Sequence, residues 1–247
     1  MKIVAIGGGE NGRPGTEYEL KEFDEEIVRM TGKSEPNYLF IGFAQSECER
    51  QQKYFNVMNN NFSALSCECV KLEESDLKDV KILEGKILNA DIIYVGGGNT
   101  LRLMTLLRKY GAVELIRQAG EKGAVLCGVS AGAICWCAYG NSDSRKFTSG
   151  SNQLIKVSGM GFVDALYCPH YDEEEHRQKD LIRMMKSTKG VALAFESCAA
   201  LKIVDDDYYV LKSREGAKAY KCYYLKGEYI KTELPASGKV KDLISKV

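Results

Sequence analysis

The chain has 247 residues, of which 45% are hydrophobic, so it can bury a full core and is not expected to be disordered. Its 34 basic and 34 acidic residues give a formal net charge of zero. This balance provides no basic surplus for nucleic acid and no polybasic run for an anionic membrane, and no apolar run approaches transmembrane length.

Short apolar runs alternate with segments of helical period along the first half of the chain. Strands are predicted at residues 3–6, 38–43, 65–72, 91–95 and 124–129. Helices are predicted at residues 18–31, 47–61, 75–86 (with Ser75 as the cap), after residue 100, and at 112–121. This alternation is typical of a parallel sheet covered on both faces by helices, in which ligands bind at the carboxyl ends of the strands.

The tail of the chain changes character after residue 190. Short β-like segments occur there at residues 191–195, 199–204, 208–212, 219–225 and 228–231. We expect them to be antiparallel additions at one edge of the sheet. No linker-like stretch separates them from the rest, so the sequence predicts a single α/β domain over residues 1–247, with residues 205–247 as a β-rich extension.

Ser130 is the most informative residue of the chain. It lies in GVSAG (residues 128–132), directly after the apolar run 124–127, and the residues that follow it are predicted to begin a helix. A serine on a sharp strand-to-helix turn can be held in strained backbone, with its hydroxyl at a helix N-terminus whose dipole favours negative charge. Ser130 is therefore the candidate nucleophile.

A serine hydroxyl needs a base, and the chain offers only two histidines. His170 follows the apolar run 165–168, so we expect it at a strand end on the same side of the sheet as Ser130. His176 lies in the first turns of a predicted helix rich in acidic residues, where a solvated helix face is the simpler interpretation. His170 is therefore the candidate base.

The base needs an acid that fixes its tautomer. Glu196 ranks first because it stands at the carboxyl end of an apolar strand. Asp143, in a polar loop after the nucleophile, ranks second, although a turn or helix cap would also explain it. Asp172 ranks third, because two residues beyond the candidate base it would face the same side of an extended segment.

Two glycine-rich segments follow predicted strands. Gly7, Gly9 and Gly12 satisfy G-x-G-x-x-G, but Pro14 follows where a phosphate-binding helix should already run, which argues against a dinucleotide site. GGGNT at residues 96–100 opens a helix, so its backbone amides can bind an anion or a developing oxyanion.

Four segments taken in order resemble the peptidase E (aspartyl dipeptidase) and cyanophycinase family of serine peptidases, peptidase family S51. They are GGGNT at 96–100, SAGA at 130–133, Pro-His-Tyr at 169–171 and Glu196 after a strand. The likeness spans roughly residues 1–204. The resemblance implies a flavodoxin-like α/β fold, mostly parallel and related to class I glutamine amidotransferases.

The resemblance also implies roles for individual residues. Ser130 would be the nucleophile, His170 the base and Glu196 the third member of the triad. The backbone amides of Gly98 and Ala131 would form the oxyanion hole.

Substrate recognition follows from the same resemblance. Members of the family typically cleave after an N-terminal aspartate or at a β-aspartyl–arginine link. Arg177 is the nearest match to the arginine that reads the aspartyl carboxylate, and we assign Asn99 and Asp143 to the substrate site with it. The segment around Glu196 lacks the proline and glycine that commonly flank the dipeptidase acid, so strict aspartyl specificity is not implied.

We expect a peptidase that acts on small peptides, without metal or cofactor and without nucleic-acid or membrane partners, as a monomer or homodimer. Nine cysteines with no Cys-x-x-Cys pair indicate reduced thiols and a cytoplasmic location. The alternatives are an α/β-hydrolase esterase, which GVSAG would also fit, a glutamine amidotransferase, which would want cysteine at position 130, and a catalytically inactive binding module.

Overall fold

The computed structural model describes residues 1–172 and 175–246. The strands, in chain order, are β1 (Lys2–Ile6), β2 (Asn37–Ile41), β3 (Glu68–Leu72), β4 (Ile92–Val95), β5 (Val125–Val129), β6 (Cys137–Ser142), β7 (Ile155–Ser158), β8 (Val163–Cys168), β9 (Ala192–Phe195), β10 (Ala199–Val204), β11 (Asp207–Lys212), β12 (Ala219–Leu225), β13 (Glu228–Glu233) and β14 (Ser237–Lys239). The helices are α1 (Lys21–Thr31), α2 (Cys48–Ser63), α3 (Val80–Leu88), α4 (Thr100–Lys109), α5 (Ala112–Glu121), α6 (Ala131–Ile134), α7 (Ser144–Ser149), α8 (Glu175–Met185) and α9 (Val240–Ile244).

The main sheet has eight strands in the order β14-β11-β10-β1-β5-β4-β2-β3. Strands β1 to β5 run parallel, and β10, β11 and β14 continue the β1 edge in antiparallel fashion. Both faces of the sheet are buried, since Ile3 and Ala5 pack into one hydrophobic cluster while Val4 and Ile6 pack into another. The predicted α/β class with a mostly parallel sheet is confirmed, and the near-continuous apolar runs of its strands reflect this two-sided burial.

A second sheet of six strands, in the order β13-β12-β9-β8-β6-β7, was not predicted. The expectation that the tail strands all join one edge is wrong, because β10, β11 and β14 extend the main sheet while β9, β12 and β13 belong to the second. The chain changes sheets within the three residues that separate β9 from β10. Alternating apolar and polar residues specify a strand but not its partner, so the sequence pattern could not show this division.

The carboxyl ends of β1, β4 and β5 lie side by side. Ile6 pairs with Val129, and Val95 pairs with Gly128, so the residues that follow these strands share one edge of the sheet. This register brings the two glycine-rich turns beside Ser130, as the sequence predicts for a doubly covered parallel sheet.

Two helix predictions need correction. A 3-10 turn and a separate helix, α3, replace the single helix expected over residues 75–86, and the Asp79 side chain, not Ser75, caps α3 by accepting from the amides of Lys81 and Ile82. The helix after Ser130 is one turn long, so its dipole contributes little there. None of the helices in the described part of the chain is both long and apolar enough to cross a membrane.

A buried carboxyl group anchors the loop that follows β1. Asp24 on α1 is fully buried and accepts a hydrogen bond from the Tyr18 hydroxyl at 2.6 Å. Burial raises the pKa of Asp24 to about 7, against 3.8 for an ordinary aspartate. The unfolded chain therefore loses this proton at a lower pH than the folded chain does.

We expect the free energy of unfolding of the wild-type protein to fall by up to about 4 kcal/mol, through this group alone, as pH rises from about 4 to about 7. Asp24→Asn should remove that fall, because the amide does not ionise. Urea denaturation of both proteins at pH 4.5 and 7.5 measures the difference, with Glu22→Gln on the exposed face of α1 as the control. Parallel pH dependence in wild type and Asp24→Asn would refute the assignment.

Candidate functional site

Ser130 occupies strained backbone at the end of β5. Its φ of 55° and ψ of −109° lie outside the regions that serine normally adopts, and its amide donates to the carbonyl of Ile6 at 3.1 Å. A β-carbon on Gly128 or Gly132 would lie 2.4 or 1.9 Å from the carbonyl oxygen of Val95. The small residues around the serine are therefore required by the close approach of β4, and they leave Ser130 partly exposed at the edge of the sheet.

His170 reaches the same edge from the second sheet. It follows β8, has a φ of 50°, and donates its amide to the carbonyl of Gly7 at 2.9 Å. Because Ile6 holds Ser130 and Gly7 holds His170, two consecutive carbonyls at the end of β1 anchor the backbones of the candidate nucleophile and base. The histidine comes to the expected edge, but its strand belongs to a different sheet.

Gly8 fits directly against the imidazole. A β-carbon there would lie 2.4 Å from Nδ1 of His170 and 2.5 Å from Oγ of Ser197. The hydroxyl of Ser197 and the Nδ1 side of the imidazole thus flank the same small residue. Sequence reasoning missed Ser197, whose only signal is a hydroxyl residue directly after Glu196.

The three candidate acids occupy different environments. Glu196 accepts from the Lys218 amide at 2.9 Å and from the Tyr220 hydroxyl at 3.3 Å. Burial, and then the neighbouring carboxylate, raise the pKa of Tyr220 to about 12, so its hydroxyl remains a donor at neutral pH. Asp172 is exposed and accepts from the Ser197 amide at 2.8 Å.

Asp143 lies elsewhere, just before α7. It lines a cavity of about 220 Å³ that His176 also lines, and His176 is exposed as expected. This position separates Asp143 from the contacts that the other two acids make around Ser197 and Glu196.

Two backbone amides, those of Gly98 and Ala131, follow Gly97 and Ser130 in the chain and have no acceptor among the described protein groups. Gly97 lies beside the serine, since a β-carbon on it would be 3.4 Å from the Ser130 β-carbon. Gly98 has a φ of 136°, and a β-carbon there would lie 2.6 Å from the carbonyl oxygen of Ala44, so the position requires glycine. Within residues 1–172 and 175–246, neither the Gly98 nor the Ala131 amide donates to a protein group.

Of the three residues predicted to bind substrate, Asn99 and Arg177 are buried, whereas Asp143 is partly exposed. Asn99 is 6% exposed, and its Oδ1 caps α4 by accepting from the Arg102 amide at 3.0 Å. That bond gives the Asn99 oxygen a role in helix capping, and the substrate contact of Asn99 stays a prediction. Arg177 is 3% exposed and donates from Nη1 to the carbonyl of Asn141 at 3.3 Å, so it is not an ordinary surface arginine.

Asn141, on β6, was not singled out by sequence reasoning. It is fully buried, and neither Oδ1 nor Nδ2 of its side chain has a hydrogen-bond partner among the described residues. Burying an amide side chain without a hydrogen-bond partner costs folding free energy. A bound polar group that pairs with the Asn141 side chain would recover that cost.

A larger cavity of about 900 Å³ lies between the loop after β1 and helix α2, and we name it the α2 cavity. It is enclosed by residues 9–14 after β1 and by the face of α2 that carries Lys53, Asn56 and Asn60, and it reaches Gly97 and Val129 beside the serine. The only sequence signal is a polar stripe on α2 at spacings of three and four residues. In the part of the chain that the structure describes, no group of three His, Cys, Asp or Glu side chains could hold a metal ion.

Comparison with known proteins gives consistent matches. A sequence model of Peptidase family S51 matches residues 3–211. The uncharacterized peptidase YgaJ of Bacillus subtilis is 30% identical over 242 residues, covering 95% of this chain and 97% of that protein. Peptidase E of Nostoc sp. is 25% identical over 219 residues, covering 79% of this chain and 84% of that protein. The crystal structure of a peptidase from an acI-B1 Actinobacterium superposes with a TM-score of 0.73 at 20% identity, covering 96% of each chain.

Proposed function

This chain belongs to peptidase family S51, and from that premise we propose that it is a serine peptidase that hydrolyses small peptides through an acyl-enzyme at Ser130. One observation carries the proposal. The consecutive carbonyls of Ile6 and Gly7 accept hydrogen bonds from the backbone amides of Ser130 and His170, and the Gly98 and Ala131 amides have no acceptor among the described residues. Membership of a peptidase family also favours peptide hydrolysis over the esterase alternative.

In the proposed mechanism Ser130 attacks the scissile carbonyl while His170 accepts the hydroxyl proton. The carbonyl oxygen becomes an oxyanion and accepts hydrogen bonds from the Gly98 and Ala131 amides. His170 then protonates the leaving amine as the carbon–nitrogen bond breaks, which leaves an ester on Ser130. His170 next takes a proton from water, and the resulting hydroxide attacks the carbonyl carbon of the ester. The bond from that carbon to the Ser130 oxygen breaks, the acyl group leaves as an acid, and His170 returns the proton to the serine oxygen.

A preference for aspartyl or β-aspartyl substrates is part of the proposal. Arg177 is a buried guanidinium that donates to the backbone carbonyl of Asn141, whose side chain has no partner among the described residues, and a guanidinium fork binds a carboxylate in bidentate fashion. A panel of aspartyl, β-aspartyl and neutral dipeptides tests the preference directly. Faster cleavage of the acidic members is expected, and equal rates across the panel would contradict it.

We propose Glu196 as the acid that orients His170, because its carboxylate is fixed by the Lys218 amide just before β12 and by the Tyr220 hydroxyl on β12. Glu196→Gln should therefore lower kcat by roughly a hundredfold with little change in KM. Asp172→Asn is the matched control. It removes a carboxylate that accepts from the Ser197 amide, and it should lower kcat much less. Steady-state kinetics of the two variants on one dipeptide decide between them, and a larger loss for Asp172→Asn would reverse the assignment.

A further inference from the structure

The α2 cavity belongs to neither the proposed triad nor the residues assigned to an aspartyl side chain. We propose that it is the subsite for the leaving-group half of a short peptide and that it binds the free terminal carboxylate of that half. This inference rests on the proposed roles of Ser130 and His170, and it adds the feature by which the enzyme would recognise a short peptide with a free carboxyl end.

The position of the cavity relates it to the leaving group. The base must lie beside the amine that departs, because it donates the proton to that nitrogen. Gly8 contacts the imidazole of His170, and the wall of the α2 cavity begins at the next residue, Gly9. The cavity also reaches Gly97 and Val129, which flank the serine. A peptide whose amine meets His170 therefore extends into this cavity.

Arg177 and Asn141, the residues proposed to hold the aspartyl side chain, lie outside the α2 cavity. They belong to α8 and β6, and neither lines the α2 cavity. If the acyl half of the substrate is held there, as proposed above, the two halves of a dipeptide occupy separate sites.

The charge of the lining favours a carboxylate. Three basic side chains line the cavity and only one acidic side chain does, Glu10. Each basic side chain is more than half exposed and forms an ion pair with a glutamate from its own segment. The pairs are Arg13–Glu10, Arg50–Glu47 and Lys53–Glu49. Exposed pairs of this kind contribute little stability, so a ligand carboxylate can exchange for a glutamate.

A buried acceptor in the same wall is suited to the donors of a peptide. Asn11 is 6% exposed, and its Oδ1 has no hydrogen-bond partner among the described residues. Its backbone carbonyl is held by Asn61 from α2 at 2.9 Å, which fixes the residue between the loop and the helix. A buried carbonyl oxygen without a partner is costly, and the N–H of a bound peptide or the freed amine would satisfy it.

Binding can be measured apart from catalysis. In the Ser130→Ala protein, calorimetric titration compares aspartyl-alanine with its C-terminal amide. The amide keeps the aspartyl side chain and lacks only the terminal carboxylate. We expect the free acid to bind roughly tenfold more tightly. Arg50→Gln combined with Lys53→Gln should abolish this difference by weakening only the free acid.

The chain offers a matched control. Arg29→Gln combined with Lys21→Gln, on α1, removes two exposed cations with the same spacing to their glutamates (Glu26 and Glu25) but outside the cavity. This control should keep the tenfold difference. Equal binding of the two peptides, absence of binding by both, or a difference that survives the cavity variant would overturn the inference. Failure of the proposed nucleophile appears in a different assay, as cleavage of aspartyl-alanine by Ser130→Ala.

Discussion

Ser130→Ala is expected to lower kcat for aspartyl dipeptides by on the order of 10⁶, because it removes the atom that forms the acyl-enzyme. The fold should persist, since the backbone bond from residue 130 to Ile6 and the close packing around β5 do not involve the hydroxyl. Dipeptide turnover and thermal unfolding of the variant measure the two properties separately.

Ser66→Ala provides the matched control for this prediction. Ser66 also has a positive φ, 64°, but it lies before β3, outside the candidate site. Ser66→Ala likewise places alanine at a positive φ, and it should leave turnover unchanged. Turnover by Ser130→Ala within tenfold of wild type would remove the serine from the mechanism.

Gly8→Ala is expected to lower kcat by on the order of 10³, within the range that general-base catalysis supplies. The added β-carbon would sit 2.4 Å from Nδ1 of His170, closer than any contact allows, so the imidazole must turn away. Gly8 does not have a positive φ, and the effect is therefore steric, arising at the base. Because Gly8 does not itself line the α2 cavity, KM should change less than kcat.

Gly85→Ala is the control for that substitution. Gly85 lies within α3, and a β-carbon there meets nothing within 4 Å. Alanine in a helix interior is favourable, so this variant should keep full activity. If Gly8→Ala and Gly85→Ala have the same kcat, the imidazole at this position is not the catalytic base.

The sequence predicts the part of the site that lies at the carboxyl ends of the parallel strands. Each parallel strand ends at the same edge, so the apolar runs before Gly7, Gly96 and Ser130 predicted that these residues meet. The same reasoning could not show that His170 arrives from a second sheet. That contact depends on the tertiary bond from its amide to Gly7, which no local pattern encodes.

The parts of the site that escaped prediction are formed by side chains distant in the chain. Asn99 is predicted to contact the substrate, and the structure adds a role that the sequence analysis did not consider, because its oxygen caps α4 and asparagine is a favoured helix cap. The α2 cavity lies between the loop after β1 and helix α2, which follows β2, and the strands β5 and β4 separate β1 from β2 in the sheet. Its lining residues therefore carry no shared motif. Asn11 and Asn141 became notable only because each buries a side-chain oxygen that has no hydrogen-bond partner among the described residues, which sequence alone cannot report.

Covalent labelling tests the central claim most directly. Folded wild-type protein is treated with a serine-reactive fluorophosphonate, digested with trypsin and analysed by fragmentation mass spectrometry of the peptide that spans residues 123–145. One adduct on Ser130, lost in the His170→Ala variant, is the predicted result. An unmodified Ser130, or an adduct whose formation is indifferent to His170, would contradict the account.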